Sequence, residues 1–213
     1  MLNLIKKDYL IVKKIWLGVM FVALLIPVFL SFVADNIIIP AWLTLTTMSI
    51  LIALILFSSI DEEEEKYPKA AALITTIGYS RNVQVIKRYI LMMMVFFYST
   101  IVYIVESLFI KSLGNLTIMS FLISLFGFTT IASLYLSFTT LLGVRAGRYI
   151  VMFVIVLISI GPTVISKLKV NINIDFLYSL NRNILIVTML ALILLIYFTA
   201  LKISINSYNK KDL

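Results

Sequence analysis

The feature that most constrains this chain is a series of long, continuously apolar runs. Each run is roughly 20 residues long, and about 20 residues of α-helix cross the ~30 Å hydrocarbon layer of a bilayer. The runs do not alternate between apolar and polar residues, as the strands of a membrane barrel would, so helices are the expected form. Six runs are predicted as transmembrane helices: 15–33, 37–59, 89–110, 116–142, 149–166 and 183–203. The chain is therefore expected to be an all-α membrane protein.

The composition agrees with a lipid environment. Of the 213 residues, 62% are hydrophobic and 13% are charged, whereas soluble domains carry about 25% charged residues. The net charge of +8 would suggest nucleic acid as the partner of a soluble protein. Here the basic residues lie beside the apolar runs, which is typical of membrane helices. We therefore interpret residues 1–213 as a single transmembrane domain with no nucleic-acid partner. No cleaved signal peptide is expected, because the first apolar run is too long for a signal core.

The distribution of Lys and Arg predicts the orientation. With the amino terminus in the cytosol, the cytosolic segments hold fourteen of these residues and the outer segments hold four. Basic residues are in excess on the cytosolic side of membrane proteins. Both termini and the long polar loop 61–88 are therefore predicted to be cytosolic.

The first 14 residues are predicted to form an amphipathic helix at the membrane surface. Apolar residues recur there at helical spacing, and the remaining positions are mostly basic. The residues expected to face lipid headgroups are Lys6, Lys7, Lys13 and Lys14. A simple basic flank to the first span explains the same residues equally well.

The loop 61–88 is the only long polar interruption, and we expect it to contact a soluble partner. Pro68 suits the first turn of a short helix. Five residues then share one helical face: Tyr67, Ala70, Ala71, Ile74 and Ile77. This face would lie in a groove of another protein, or alternatively rest on the ends of its own spans. Gly78 would end the helix, and Ser80 would cap a second helix that continues into the third span. The acidic run 62–65 is interpreted as a solvated helix start, which the helix dipole favours.

Two features inside the spans are candidates for function. Glu106 is the one carboxylate within a predicted span, and the cost of such a charge falls toward the membrane surface. We interpret it either as an interfacial carboxylate paired with Lys111 or as a residue that lines a substrate path. Gly161-Pro162 is expected to kink or break the fifth span. The polar segment 167–182 after it is either a short helix that dips back toward the membrane or an ordinary loop.

Several kinds of chemistry are excluded by residues that the sequence lacks. There is no Cys and no His, which excludes disulfides, thiol nucleophiles and imidazole metal ligands. No catalytic residue and no metal ligand is predicted. The phosphate-binding pattern Gly-x-x-x-x-Gly-Lys-Ser/Thr is absent, so the chain would not hydrolyse ATP by that route. An intramembrane protease of the Glu-Glu type is not expected, because it would need histidines. An ion-driven transporter is not expected either, because it usually has broken helices in both halves of a repeat, and no internal repeat is visible here.

The whole pattern resembles the permease subunit of an ABC-2 type transporter. The basic start MLNLIKKDYLIVKK, six spans, one large cytosolic loop and the Gly-Pro of the fifth span carry the resemblance. The stretch EEKYPKAAALITTIGYSRNVQVIKRYI, residues 64–90, is similar to the loop of small members of that family. The loop of those members begins with acidic residues and Lys and continues as a short helix. A Ser-Arg turn follows, and basic residues and Tyr then lead into the third span. The sequence departs from the family pattern at Gly78-Tyr79, where relatives often carry Leu-Pro.

The resemblance implies a small bacterial permease in the cell membrane. It would pair with a second permease, identical or homologous, and each would sit on a separate ATP-binding subunit. ATP and Mg²⁺ would bind that subunit, and this chain would bind no cofactor. The face that begins at Tyr67 would be the coupling helix, and the N-terminal helix would brace the inner leaflet.

The resemblance also implies a cargo class. Family members of this size often export amphipathic or antimicrobial peptides or confer immunity to them. Peptide export by alternating access is therefore the expected function, with lipids and drugs as alternative cargoes. A non-transporting membrane scaffold or immunity protein is the alternative from another class.

Overall fold

The described part of the chain is helical in this computed structural model. It comprises residues 6–8, 10, 13–33, 39–67, 80–110, 112–153 and 182–210. The long helices within it are α1 (Lys13–Val33), α2 (Ala41–Lys66), α3 (Arg81–Phe109), α4 (Ile118–Leu142) and α5 (Arg182–Asn209). Residues 144–153 are helical as well. No strand forms within these ranges beyond a single bridge between Ile39 and Leu113. The expected all-α class is confirmed for this part of the chain.

Four of the six predicted spans are helices long and apolar enough to cross a membrane. They correspond to α2, α3, α4 and α5. The first predicted span coincides with α1, in which a shorter apolar stretch, Ile15–Phe29, is recognised. The fifth, 149–166, is described only as far as residue 153. Its Gly-Pro pair and residues 167–181 lie outside the described residues.

Three helices extend beyond their predicted spans at one end of the bundle, and one of them, α5, continues past residue 203 to Asn209. α2 continues past residue 59 to Lys66, and α3 begins at Arg81, before the predicted third span. α2 has 26 residues, about 39 Å at 1.5 Å per residue, which exceeds the ~30 Å hydrocarbon layer. We therefore place its last two turns and the first turns of α3 outside the membrane layer. Residues 67–80 connect these two helices, and they lie within the predicted loop 61–88.

α4 packs most extensively against α5 and α2, and α3 contacts each of the other four long helices. The bulkiest fully buried side chains are aromatic: Tyr89, Tyr103, Tyr135, Phe57, Phe96 and Phe128. Phe57 of α2 stacks on Tyr135 of α4 with ring centroids 6.2 Å apart. Buried hydroxyls bond to carbonyls one turn earlier, as Thr140 Oγ1 does to the Leu136 carbonyl at 3.0 Å. Such bonds satisfy the polar atoms, so Ser and Thr can lie inside the bundle.

The segments that connect the helices lie at the two ends of the bundle. At one end the turn before α2 meets the turn after α3, where Ile39 N donates to the Ser112 carbonyl at 2.9 Å and Gly114 N donates to the Ile39 carbonyl at 3.0 Å. The Tyr103 hydroxyl also donates to the Gly114 carbonyl at 2.6 Å. The opposite end gathers the N-terminal residues, the end of α2, the start of α3 and the end of α5. Segments predicted to share the cytosolic side thus lie together, and the identity of that side stays a prediction.

Candidate functional site

The end of α2 carries five consecutive carboxylates, Asp61 and residues 62–65. Carboxylates at the carboxyl end of a helix are unfavourable, because the helix dipole places partial negative charge there. Cations from the N-terminal residues, from α3 and from the segment after α4 compensate them. We term the more buried part of this cluster the charged junction: Lys7, Asp8, Asp61, Glu64, Lys87 and Arg88.

Arg88 lies at the centre of the charged junction. Its Nη1 is 2.8 Å from Asp61 Oδ1, and its Nη2 is 2.5 Å from Glu64 Oε2. One guanidinium therefore bridges two carboxylates of α2, which the planar fork of arginine suits and a lysine ammonium does not. The Arg88 side chain is 16% exposed, so the bridge is largely shielded from solvent.

Asp61 is the most buried charged side chain of the junction, with 1% of its surface exposed. The Tyr135 hydroxyl of α4 donates to Asp61 Oδ2 at 2.8 Å, so one carboxylate joins α2, α3 and α4. Asp61 and Glu64 both lie beyond the predicted span 37–59. Burial raises the pKa of Asp61, against the opposing effects of Arg88 and Tyr135. Burial alone would also raise the pKa of Glu64, but Arg88 and two nearby lysines lower that pKa to about 2. Glu64 is therefore ionised at neutral pH.

The N-terminal residues join the junction through Asp8. Lys87 Nζ lies 2.8 Å from Asp8 Oδ2, and both side chains are buried. Lys7 Nζ lies 3.5 Å from Glu64 Oε1, and Lys87 Nζ lies 3.6 Å from the same atom. Ion pairs thus attach the N-terminal residues to α2 and α3.

A more exposed link connects the helical segment 144–153 to the acidic run. Arg148 Nη2 lies 2.9 Å from Glu65 Oε2, and Arg148 Nε lies 4.0 Å from Glu62 Oε1. The Arg148 and Glu65 side chains are 46% and 44% exposed. Ion pairs this exposed contribute about 0–1 kcal/mol, so this link is weak.

Close packing at Gly147 also holds the segment 144–153 against α4. A Cβ atom placed on Gly147 would overlap the Thr139 methyl group and would lie 3.2 Å from Cε2 of Tyr135. The absence of a side chain at residue 147 therefore permits the approach. Gly147 thus packs against the ring of Tyr135, the residue whose hydroxyl group binds Asp61 of the charged junction.

α5 ends against the start of α3. The Tyr208 hydroxyl donates to Gln84 Oε1 at 3.1 Å, and Arg81 Nη1 donates to the Asn209 carbonyl at 3.1 Å. Asn209 Nδ2 donates to Asn82 Oδ1 at 2.9 Å. A small open cavity lies between this contact and the charged junction, lined by Glu64, Gln84, Val85, Lys87, Arg88, Thr140 and Tyr208. Gln84 Nε2 has no hydrogen-bond partner among the described residues.

Of the predicted coupling face, only Tyr67 is described. It follows α2 directly and is 66% exposed. The other four residues lie outside the described part of the chain: Ala70, Ala71, Ile74 and Ile77. The short helix stays a prediction. Ser80 takes the predicted cap position of α3, but its side chain makes no capping hydrogen bond.

The interpretation of the acidic run as a solvated helix start is wrong. Residues 62–65 lie in the last two turns of α2, and Glu64 and Glu65 bind cations of other segments. Helical hydrogen bonding continues past the last apolar residue here because distant cations compensate the carboxylates. No local sequence pattern reveals those cations as partners.

The four N-terminal lysines differ in their surroundings. Lys6 and Lys13 are exposed, whereas Lys7 is partly buried and pairs with Asp8 and Glu64. The side chain of Lys14 lies outside the described part. Contact of Lys6 and Lys13 with lipid headgroups stays a prediction.

Glu106 lies in the last turn of α3, at the end opposite the charged junction. Its side chain is buried, with 7% of the residue exposed. Its Oε2 has no hydrogen-bond partner among the described residues, and the predicted partner Lys111 is not one of them. A buried carboxylate oxygen without a donor is costly unless a ligand or a proton satisfies it. Elsewhere in the described ranges, no group of three or more Asp or Glu side chains is placed to hold a metal ion.

Most residues of this site carry no sequence signal of their role. Lys87 and Arg88 resemble ordinary charges of the loop, and no pattern indicates a partner for Tyr135 or Arg148. A usable signal existed in two places. Asp8 is the one carboxylate among the N-terminal lysines, and Asp61 follows directly on an apolar run. A carboxylate that stands alone among lysines, or that lies directly beside a span, indicates an ion-pair partner.

Comparison with known proteins identifies a family. The sequence pattern of the family described as "ABC-2 family transporter protein" matches residues 3–209, nearly the whole chain. No curated protein and no solved structure matches the chain.

Proposed function

The chain belongs to the ABC-2 family of transporter proteins, and from this premise we propose that it drives export by passing ATPase motion through its first polar loop. It is a multi-pass membrane permease that works with a separate ABC ATP-binding subunit. The permease provides the membrane path and the partner provides the energy. ATP and Mg²⁺ bind the partner in this proposal, and this chain binds no cofactor.

The observation that carries the proposal is the charged junction at both ends of the loop 67–80. Arg88 near the start of α3 binds two carboxylates near the end of α2. The exposed Tyr67 begins the loop directly after α2. A partner that moves this loop would therefore act on two spanning helices together. The coupling face from Tyr67 to Ile77 is the proposed contact with the ATPase.

For the cargo we propose amphipathic or antimicrobial peptides, moved out of the cell by alternating access. The support is the resemblance of this small permease to exporters of that kind. Glu106 is the proposed residue of the cargo path, because its carboxylate is buried near the far end of α3 and Oε2 has no donor among the described residues. Such an oxygen would accept a hydrogen bond from a cationic or amide group of a peptide.

The proposed assembly contains two permeases, identical or homologous, and lies in the cell membrane with both termini in the cytosol. The excess of Lys and Arg on the segments gathered at the charged end supports this orientation. The exposed Lys6 and Lys13 would contact anionic headgroups of the inner leaflet.

The proposal is tested by Ala71→Asp on the coupling face. A charge in a buried contact without a partner costs about 2 kcal/mol or more, roughly thirtyfold in affinity. We expect the ATP-binding subunit to be lost from the purified complex, and transport to be lost with it. The measurement is co-purification followed by ATP hydrolysis and peptide uptake into inverted lipid vesicles.

Ala71→Ser is the matched control, because it adds a small uncharged group at the same position. It should retain both subunits and transport. Normal co-purification and ATPase stimulation in Ala71→Asp would reject the coupling assignment. A wild-type chain that binds no ATPase would instead favour the scaffold or immunity alternative.

A further inference from the structure

The loop 67–80 is fixed at both of its ends by the same group of side chains. Where the chain leaves α2, Asp61 and Glu64 lie within the last two turns. Where it enters α3, Arg88 lies two turns in. The contacts of 2.8 Å and 2.5 Å that Arg88 makes with these carboxylates connect the two ends directly. These ion pairs thus join the two helices directly on either side of the loop that connects them.

The ion pairs at this end of the bundle differ in burial. The pair of Asp61 with Arg88 is 1% and 16% exposed, whereas Arg148 and Glu65 are nearly half exposed. Separating a buried pair leaves a charge without compensation, which is strongly unfavourable. An exposed pair separates at little cost because water replaces the partner. A motion at this end therefore separates the exposed pair at a much lower cost than the buried pair.

We propose that Asp61 and Arg88 are positioning residues that make the end of α2 and the start of α3 one rigid unit, with α4 attached through Tyr135. This inference rests on the proposed function, since it concerns how motion of the coupling segment reaches the spans. A force on the loop moves three helices together instead of bending the loop alone. The contact of Arg148 with Glu65 is the one that opens during the transport cycle.

The rigid unit is tested by distance measurements in the complex with the ATP-binding subunit. The chain has no cysteine, so introduced cysteines carry spin labels without interference. Labels at Glu63→Cys and Asn82→Cys report on the end of α2 against the start of α3. Their separation should change by less than ~2 Å between the nucleotide-free and ATP-trapped states. Labels at Glu63→Cys and Arg145→Cys span the contact that opens, and their separation should increase by clearly more.

The functional role is tested by Asp61→Asn, which keeps the shape of the side chain and removes its charge. The ATP-binding subunit should still co-purify and hydrolyse ATP, while transport per ATP falls at least about fivefold, as for a lost coupling between sites. Glu63→Gln is the matched control, because among the described residues Glu63 forms an ion pair with Lys66 of its own helix and with no other. It should leave transport per ATP unchanged. A merely structural role for Asp61 would reduce the yield of complex and leave this ratio intact.

The outcomes separate this inference from the proposed function. A change of more than ~5 Å between residues 63 and 82 on ATP binding, about one helical turn, would overturn the rigid unit. So would normal transport per ATP in Asp61→Asn. If Asp61→Asn does not fold, Tyr135→Phe should lower transport per ATP to a smaller extent. The spin-label distances, measured with the side chains of the charged junction intact, test the rigid unit in either case. A wild-type complex that assembles yet transports nothing would refute the proposed function and not the rigid unit.

Discussion

Replacing Arg88 with methionine removes the guanidinium and keeps an unbranched side chain of similar reach. Glu64 retains two cations in the variant, because Lys7 and Lys87 lie 3.5 Å and 3.6 Å from its Oε1. Asp61 loses its ionic partner and keeps one donor, the Tyr135 hydroxyl. The perturbation therefore falls mainly on a carboxylate that is 1% exposed.

The cost of this change has an upper limit, because Asp61 can take up a proton. A carboxyl with an ordinary pKa of about 3.9 binds a proton at pH 7 at a cost of about 4 kcal/mol, or 1.36 kcal/mol per pH unit. Breaking one side of a buried pair usually costs about 3–5 kcal/mol. We expect Arg88→Met to lower the free energy of unfolding by about 4 kcal/mol at pH 7.

The same reasoning gives the sign of the pH dependence. The folded-state pKa of Asp61 lies above its unfolded value, and the substitution raises it further. A group of this kind favours the folded state most below its unfolded pKa and loses that contribution as the pH rises through the folded pKa. The deficit of Arg88→Met relative to wild type should therefore shrink as the pH falls from 7 to 5.

The measurement is unfolding in detergent micelles, followed by tryptophan fluorescence at both pH values. A deficit of about 4 kcal/mol corresponds to a midpoint lower by roughly 10 °C. Combining Arg88→Met with Asp61→Asn should restore most of the loss, leaving about 1 kcal/mol. Lys66→Met is the control, since Lys66 is exposed and, in the described part of the chain, forms its one ion pair with Glu63. A deficit below about 1 kcal/mol that does not vary with pH would refute the buried pair.

Three further predictions concern single contacts. Tyr135→Phe should destabilise the protein by about 1–2 kcal/mol, because it removes one hydrogen bond to a buried carboxylate, and the same unfolding assay measures this. Gly147→Ala should cost about 1–3 kcal/mol through overpacking, whereas Gly18→Ala, which meets nothing within 4 Å, should be neutral or slightly stabilising. Glu106→Gln should lower peptide transport without changing ATPase binding, and unchanged transport would favour an interfacial role for this residue.

The helices that cross the membrane could be predicted because their signal is local. A continuous apolar run fixes both the helical form and the approximate length, and α2 to α5 follow from such runs. The start of α3 after Ser80 could be predicted from its cap residue, but the end of α2 at Lys66 could not. Helix ends depend on whether polar residues find partners, and those of α2 find them on α3, on the N-terminal residues and at Arg148.

The charged junction could not be predicted for the same reason. Its central pair joins residues 61 and 88, and Tyr135 reaches Asp61 across 74 positions of the chain. A single sequence carries no information about which distant charges meet. The positive-inside pattern did place the right segments on one side, because the excess of Lys and Arg is a property of whole segments rather than of pairs.

The two ends of the bundle are fastened unequally in the described residues. One end has buried ion pairs among three segments, the N-terminal residues, α2 and α3. The other end is joined by hydrogen bonds between neutral groups. Helices that are joined firmly at one end of a bundle can separate most at the opposite end. A tilt of about 5° at the clamped end displaces the tip of a ~39 Å helix by roughly 3 Å. Under the proposed function, a small rotation at the charged end would therefore produce the widest gap at the opposite end, on the side where the cargo would leave.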